Sequence, residues 1–225
     1  MSYSILSGSN TELSDNISDI IKQPLCSRTI KTFKNGEICV SIHESIRNKD
    51  VFIIQTKGCD QNVNDMLMEL LIMIDACKRS AVKNIYVIMP CYPYARQDKK
   101  EESREPITAK LVANLLCAAG MTRLIVMDLH AAQIQGFFDI PVDALTSRIV
   151  FAKDIKQTIG IIDDPQVQQA GTVFVSPDAG GVVRARKFAE MFFGDVAIVD
   201  KRRPKAGVAE VMNLIGDVDK KHAIL

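Results

Sequence analysis

The stretch TRLIVMDLHAAQIQGFFDIPVD, residues 122 to 143, begins with a short apolar run that is partly β-branched. Such a run, residues 122 to 127, predicts a strand buried in a sheet. Asp128 and His130 follow where this strand ends, and residues two apart on an extended chain point to the same side. Because α/β proteins bind ligands beyond the carboxyl ends of their strands, we predict that both side chains face a metal or phosphate site.

Strand and helix patterns alternate along almost the whole chain. The patterns predict strands at residues 3–6, 38–42, 51–55, 84–89, 122–127, 171–176 and 196–200. They predict helices ending near residue 22 and at residues 64–78, 107–119, 131–138, 147–157 and 182–191. This alternation predicts an α/β fold with mainly parallel sheets flanked by helices. The pattern is most easily divided near residues 141–148, so we place a domain boundary there and expect two similar α/β domains, residues 1–145 and 146–225.

The charge and hydropathy of the sequence argue against several classes of protein. The chain has 28 basic and 27 acidic side chains and a net charge of +1, so its overall charge favours neither nucleic acid nor a membrane surface. The amino terminus lacks the pattern of a secretory signal, and the apolar run of residues 66–76 is too short to span a bilayer. The six cysteines show no metal-ligand spacing. We therefore expect a cytoplasmic protein that binds neither nucleic acids nor membranes.

A basic segment, YARQDKK at residues 94–100, lies close to two prolines. Its cations are Arg96, Lys99 and Lys100. A planar guanidinium beside two amines suits a polyphosphate chain, because it offers directed donors together with point charges. The alternative is an ordinary solvated loop.

Three carboxylates accompany the single histidine of the opening stretch: Asp128, Asp139 and Asp143. Carboxylates suit Mg²⁺, which proteins hold through one or two acids together with substrate phosphates and waters. The pattern therefore favours a magnesium–nucleotide site over a zinc site. The alternative is that His130 and a neighbouring acid form a structural hydrogen-bonded pair.

The segment SPDAGG, residues 176–181, joins a predicted strand to a predicted helix. Paired glycines let backbone N–H groups turn toward an anion, and Asp178 could hold a cation that bridges to it. The alternative is a tight turn in which Asp178 caps the helix.

The segment DKRRPKAG, residues 200–207, is highly charged and contains a proline and a glycine that disfavour a helix. It has the composition of a mobile flap that closes on a substrate and neutralises charge on a phosphoryl group. A solvated hairpin loop is the alternative.

Taken together, these segments resemble those of the ribose-phosphate diphosphokinases, also called phosphoribosyl pyrophosphate synthetases. The resemblance covers essentially the whole chain. It rests on residues 33–37 (FKNGE), 64–76 (NDMLMELLIMIDA), 93–100 (PYARQDKK), 128–143, 176–181 and 200–203 (DKRR).

The resemblance implies a fold of two similar phosphoribosyltransferase-type domains and a Mg²⁺-dependent reaction. In that reaction, the diphosphoryl group of ATP moves to the anomeric hydroxyl of ribose 5-phosphate, giving phosphoribosyl pyrophosphate and AMP for nucleotide biosynthesis. It also implies a homo-oligomer, because a neighbouring subunit supplies part of each ATP site.

The resemblance further implies a role for each matched residue. The ATP-binding residues would be Arg96, Gln97, Asp98, Lys99, Lys100 and His130, with Phe33, Asn35, Gly36 and Glu37 from the neighbouring subunit. The metal site would contain Asp128, His130, Asp139, Asp143 and Asp178. The catalytic residues would be His130, Lys201 and Arg203.

One feature of the family is missing from the sequence. The family continues beyond the position of Leu225 into an acidic loop that binds ribose 5-phosphate, and residues 222–225 look like the start of the strand leading to it. The second domain is therefore expected to be incomplete. The alternative to an active synthetase is a non-catalytic, truncated subunit that assembles with full-length synthetase and supports it.

Overall fold

A computed structural model describes residues 2–158, 171–205 and 208–225, with side chains described for residues 2–158, 171–200 and 213–225. The chain divides into two compact units, Met1–Thr146 and Ser147–Leu225. Each unit is built around its own sheet. Among the described residues, no helix combines the length and the apolar character needed to cross a membrane.

A five-stranded sheet forms the centre of the first unit. Its strands, in spatial order, are β1 (Tyr3–Ser7), β4 (Asp50–Ile54), β5 (Asn84–Met89), β6 (Arg123–Met127) and β7 (Val142–Leu145). All neighbouring strands are parallel. The carboxyl ends of the strands therefore lie along one edge of the sheet.

The other elements of the first unit lie between these strands in the chain. They are α1 (Glu12–Ile21), the antiparallel hairpin of β2 (Arg28–Thr32) and β3 (Ile38–Ile42), α2 (Val63–Arg79), α3 (Thr108–Ala119) and a 3-10 helix (Ala132–Phe137). Helix α2 begins where the side chain of Asn62 accepts a hydrogen bond from the N–H of Asn64 at 2.8 Å. Helix α3 ends at Gly120, whose φ of +124° suits a residue without a Cβ.

The core of the first unit packs one face of the sheet against α2 and α3. Alternate strand residues supply the sheet side of this core, because successive side chains point to opposite faces. The fully or almost fully buried strand residues include Val51, Ile53, Ile85, Val87, Leu124 and Val126. The helices contribute Leu70, Met73, Ile74, Val112 and Leu116.

A four-stranded sheet forms the second unit. In spatial order its strands are β10 (Val208–Ile215), β9 (Asp195–Lys205), β8 (Thr172–Ser176) and β11 (His222–Ile224). Its described helices are α4 (Arg148–Thr158), a 3-10 turn (Ala179–Gly181) and α5 (Val182–Phe192). Phe192 is fully buried and its ring centroid lies 5.2 Å from that of Phe174.

The predicted α/β fold with mainly parallel sheets is confirmed, and three local features differ from the expectation. Strands β2, β7 and β10 were not expected, because their sequences mix polar and apolar residues without a long apolar run. The predicted helix at residues 131–138 is a shorter 3-10 helix. Strand β9 continues to Lys205 and pairs with β10, so residues 200–205 of the predicted flap lie in a paired strand.

Candidate functional site

The candidate site lies at the carboxyl edge of the first sheet, where β5 and β6 end side by side. The N–H of Met127, the last residue of β6, donates to the carbonyl of Pro90, just after β5, at 3.2 Å. The loop after β5 contains the basic segment, and the loop after β6 contains Asp128 and His130. Parallel pairing of β5 with β6 therefore brings the two sequence motifs to the same edge.

The basic loop, defined as residues 94–100, presents its charges to solvent. Arg96, Lys99 and Lys100 are exposed and Asp98 is half-buried. Lys99 Nζ lies 3.1 Å from Glu101 Oε1, and both side chains are more than 60% exposed, so this pair neutralises little of the charge. The loop therefore offers a positive surface that suits a polyphosphate.

Several contacts with the two neighbouring helices fix the path of this loop. Tyr92 is buried and its hydroxyl donates to the carbonyl of Ala109 in α3 at 2.9 Å. Tyr94 has a φ of +57°, and its hydroxyl donates to the side chain of Asn64 in α2. A turn follows in which the N–H of Gln97 donates to the carbonyl of Tyr94 at 2.9 Å. The cations thus project from a backbone that the protein already holds in place.

Asp128 and His130 are both exposed at the start of the neighbouring loop. Asp128 has a φ of +47°, a left-handed conformation that aspartate tolerates better than most residues, and its N–H donates to the carbonyl of Leu145 at 3.0 Å. Gln133 joins the two loops by donating to Asp98 Oδ2 at 3.4 Å. The structure therefore places the basic loop beside the acid and the histidine.

Asp143 lies near the opposite, amino-terminal edge of the sheet. It is the second residue of β7, and its carboxylate accepts two hydrogen bonds from Arg123, the first residue of β6, with Nε–Oδ2 at 2.6 Å and Nη2–Oδ1 at 3.0 Å. These hydrogen bonds hold the pKa of Asp143 below its usual range. Asp143 is thus paired with a cation at a distance along the strands from Asp128.

Asp139 also lies away from Asp128. It is exposed, just before β7, and its charge contributes to raising the pKa of Cys117 near the end of α3, after the larger effect of burial of that thiol. In the described ranges, no group of three or more histidine, cysteine, aspartate or glutamate side chains is placed to hold a metal. The described structure does not bring Asp128, Asp139 and Asp143 together in one group, because residues 128–141 run from one edge of the sheet to the other, and the metal roles of these residues stay predictions.

The four residues predicted to bind ATP from a neighbouring subunit lie together at the tip of the β2–β3 hairpin. The N–H of Phe33 donates to the carbonyl of Glu37 at 2.8 Å, and Asn35 Oδ1 accepts from the N–H of Glu37 at 3.2 Å. Gly36 has a φ of +89°, which the turn requires. The Phe33 side chain is 53% exposed. The hairpin therefore presents an aromatic ring to solvent.

A groove of about 610 Å³ lies beside this hairpin and was not anticipated from the sequence. Its lining comes from the hairpin, the ends of β1 and β4, and α2. The lining residues include Ser9, Asn10, Thr32, Gly36, Gln61, Asp65 and Glu69.

Glu69, only 2% exposed, organises one wall of the groove. Its Oε1 accepts from the N–H of Ser9 at 2.7 Å and from Gln55 Nε2 at 3.0 Å, and its Oε2 accepts from the hydroxyl of Ser9 and from Gln61 Nε2 at 3.4 Å. The sequence signal was an acid within the apolar run of residues 66–76. That acid is buried because four donors surround its carboxylate.

In the second unit, Asp178 occupies the turn between β8 and α5. Its Oδ1 accepts from the N–H of Gly181 at 3.0 Å, and the hydroxyl of Ser176 donates to its carbonyl at 2.6 Å. This is the helix-cap arrangement that the sequence left open as the alternative. The N–H of Gly181 therefore bonds within the turn, and Asp178 retains Oδ2 for any cation.

Lys201 and Arg203 lie in the part of β9 for which only the backbone is described. Lys201 pairs with Val211 of β10, so the backbone around it is extended. The side chains of Lys201 and Arg203 lie outside the described residues, and their catalytic role stays a prediction.

Comparison with known proteins gives the family. A model of the N-terminal domain of ribose phosphate pyrophosphokinase matches residues 3–120, which is more than half of the chain. The chain belongs to the ribose-phosphate pyrophosphokinase family. The predicted family is thereby confirmed, and the match covers β1 to α3, including the hairpin and the basic loop.

Individual members of the ribose-phosphate pyrophosphokinase family are similar to this chain along almost its whole length. The enzyme of Staphylococcus aureus strain Mu50 is 51% identical over 216 residues, which is 96% of this chain and 65% of that protein. The Staphylococcus haemolyticus relative is 50% identical with the same coverage. The chain thus spans 65% of the length of these curated relatives.

A solved structure extends the similarity to both units. The crystal structure of phosphoribosylpyrophosphate synthetase from Mycobacterium smegmatis is similar with a TM-score of 0.85 and 38% identity, covering 99% of this chain and 70% of that chain. The arrangement of strands and helices described above is therefore that of the ribose-phosphate pyrophosphokinase family.

Proposed function

We propose that this chain carries the nucleotide-binding part of a ribose-phosphate pyrophosphokinase. In the proposed reaction, ATP transfers its diphosphoryl group to the anomeric hydroxyl of ribose 5-phosphate, and the products are phosphoribosyl pyrophosphate and AMP. The observation that carries the proposal is the side-by-side position of the basic loop and the Asp128–His130 loop, joined by the Gln133–Asp98 hydrogen bond. Membership of the family supports the choice of reaction.

The basic loop is proposed to bind the phosphates of ATP. Arg96, Lys99 and Lys100 are exposed on a backbone fixed by hydrogen bonds to α2 and α3, so binding costs little ordering of the loop. Guanidinium and ammonium groups together match the charge and geometry of a polyphosphate. The β2–β3 hairpin, with its exposed Phe33, is proposed to hold the adenosine part from a neighbouring copy in a homo-oligomer.

Magnesium is proposed to accompany the nucleotide at Asp128. The donor set fits this ion, because Asp128 is an exposed carboxylate beside a polyphosphate-binding loop, and Mg²⁺ needs only one or two protein carboxylates when phosphates supply further oxygens. His130 lies on the same loop and would orient the complex. The bound ion would supply charge neutralisation on the phosphate oxygens. Asp143 is left out of this proposal because Arg123 engages both of its oxygens.

The residues of the chain would act mainly through electrostatics. In the transfer, the anomeric oxygen forms a bond to the β-phosphorus, the bond from that phosphorus to the bridging oxygen of AMP breaks, and the hydroxyl proton is released. Negative charge then develops on the diphosphoryl oxygens and on the leaving AMP. Arg96 would stabilise that charge from the basic loop, and Lys201 and Arg203 are proposed to do so from β9.

AMP release measures the proposed reaction directly. The 225-residue chain is incubated with Mg-ATP, with and without ribose 5-phosphate, and AMP formation that depends on the sugar phosphate is the expected result. Lys100→Ala should weaken Mg-ATP binding, whereas Lys83→Ala, which removes another exposed lysine at the amino-terminal edge of the sheet, should not.

Two other outcomes of these experiments would contradict the proposal. If the chain binds Mg-ATP without releasing AMP, and instead raises the activity of an added full-length synthetase, it is a non-catalytic supporting subunit. If Lys83→Ala weakens binding as much as Lys100→Ala, the basic loop is not the phosphate site.

A further inference from the structure

Gln97 is held in one orientation by the first turn of α3. The hydroxyl of Thr108 donates to Gln97 Oε1, and the N–H of Ala109 donates to the carbonyl of Gln97 at 3.1 Å. The sequence alone gave Thr108 no role. These contacts connect the basic loop to a helix that also packs in the core.

The helix start explains why this connection forms. The residue before α3 is Ile107, which has no side-chain acceptor, so it cannot cap the first N–H groups of the helix. The carbonyl of Gln97 serves one of them instead. The Gln97 backbone is thus fixed from both sides, since its own N–H donates to the carbonyl of Tyr94 at 2.9 Å.

The side-chain contact then determines which end of the amide faces outward. A primary amide has one acceptor end and one donor end. Because Thr108 engages the oxygen end, the N–H₂ end of Gln97 is the one left to face solvent, beside the exposed cations Arg96, Lys99 and Lys100. The exposed side chains of Arg96, Gln97, Lys99 and Lys100 therefore offer donors to a ligand, whereas the half-buried Asp98 accepts from Gln133.

We propose that Thr108 is a positioning residue that fixes the amide of Gln97 with its N–H₂ group toward the nucleotide. This inference rests on the proposed function, in which the basic loop binds Mg-ATP. The ligand group it addresses is an acceptor atom of the nucleotide, either a phosphate oxygen or a ring nitrogen. Thr108 itself need not touch the nucleotide.

The test removes the hydroxyl without changing the shape of the side chain. Thr108→Val should raise the Kd for Mg-ATP roughly three- to tenfold, the effect of one neutral hydrogen bond. Thr108→Ser keeps the hydroxyl and should restore the affinity of the unaltered chain. Thr122→Val is the control for loss of a threonine hydroxyl away from the site, because Thr122 donates to the carbonyl of Ile85 at 2.9 Å and accepts from its N–H at 3.0 Å, at the amino-terminal edge of the sheet.

A nucleotide-independent measurement accompanies the titrations. In NMR spectra without ligand, the side-chain N–H₂ signals of Gln97 should shift in Thr108→Val and return in Thr108→Ser. Loss of affinity in both variants, or an unchanged affinity in Thr108→Val with its fold intact, would overturn the positioning role. Failure of the unaltered chain to bind Mg-ATP would instead overturn the proposed function, and this inference with it.

Discussion

Removal of the buried carboxylate of Glu69 should destabilise the first unit by an amount that depends on the replacement. In Glu69→Ala, the N–H of Ser9 and the Nε2 group of Gln55 lose the acceptor that lies within 3.0 Å of each. A buried donor left without a partner costs about 1–3 kcal/mol. Gln55 Nε2 keeps the carbonyl of Met66 as an acceptor at 3.3 Å and Ser9 lies at an exposed position, so the lost acceptor and a small cavity give an expected loss of about 2–4 kcal/mol.

Glu69→Gln should cost much less, because one amide oxygen can still serve both of those donors. The amide N–H₂ would then face the Ser9 hydroxyl, which can accept as well as donate, and the Nε2 group of Gln61, which is partly accessible to solvent. Glu69→Gln then loses only the charge on the acceptor and the long hydrogen bond from Gln61, which lowers the free energy of unfolding by about 1–2 kcal/mol.

Urea unfolding followed by tyrosine fluorescence is the assay. The chain has no tryptophan, and all four tyrosines lie in the first unit, so the signal reports on that unit alone. Asp19→Asn, an exposed change in the last turn of α1, is the control and should not lower the midpoint. Equal losses in Glu69→Gln and Glu69→Ala would refute the reasoning from donor geometry, and no loss in either would show that the network does not form in solution.

Four further changes address the candidate site. Asp143→Asn should leave Mg-ATP affinity unchanged but should remove a stabilising ion pair. Because Arg123 lowers the pKa of Asp143, that stabilisation is present above the ordinary carboxyl pKa and is lost as the pH falls through the lowered pKa. Melting temperatures of both proteins, measured from neutral pH to about pH 2, would show this difference. Phe33→Ala should preserve folding yet raise the Kd for Mg-ATP at least about tenfold and weaken self-association in sedimentation velocity. Lys201→Ala should lower kcat roughly 10²- to 10³-fold with little change in nucleotide Kd, and equal losses in both would argue against a transition-state role. His130→Ala should alter the Mg²⁺ dependence of nucleotide binding in titrations, and an unchanged dependence would remove it from the site.

The local sequence was sufficient to predict most of the elements. Buried parallel strands such as β5 and β6 are short apolar runs, and α2 and α3 show helical periodicity with recognisable ends, so each can be read within a window of ten to twenty residues. The strands that were not predicted, β2, β7 and β10, owe their extended conformation to pairing with a neighbour. β2 and β10 pair with the strand next to them in the chain and β7 pairs with β6, and none of the three has the apolar run by which a strand can be recognised from its own sequence.

The candidate site, like the fold, could be predicted from the sequence only in part. The types of residue that carry the chemistry, such as Arg96, Asp128 and His130, could be named from their order along the chain, because phosphate and magnesium recognition require those groups and strand ends place them in loops. The sequence could not show that Asp143 faces Arg123 at the other edge of the sheet, since spacing along the chain does not reveal which end of a strand a residue occupies.

What the sequence by itself determined is therefore the α/β fold, the family and the set of polar residues at strand ends. What only the tertiary structure decided is which of those residues meet, that Glu69 is buried among four donors, and that Thr108 orients Gln97. The physical reason is the distance along the chain over which each kind of interaction acts. Periodicity and turn chemistry act between residues close in the chain, whereas hydrogen-bond partners at a site are set by the packing of elements that are far apart in it.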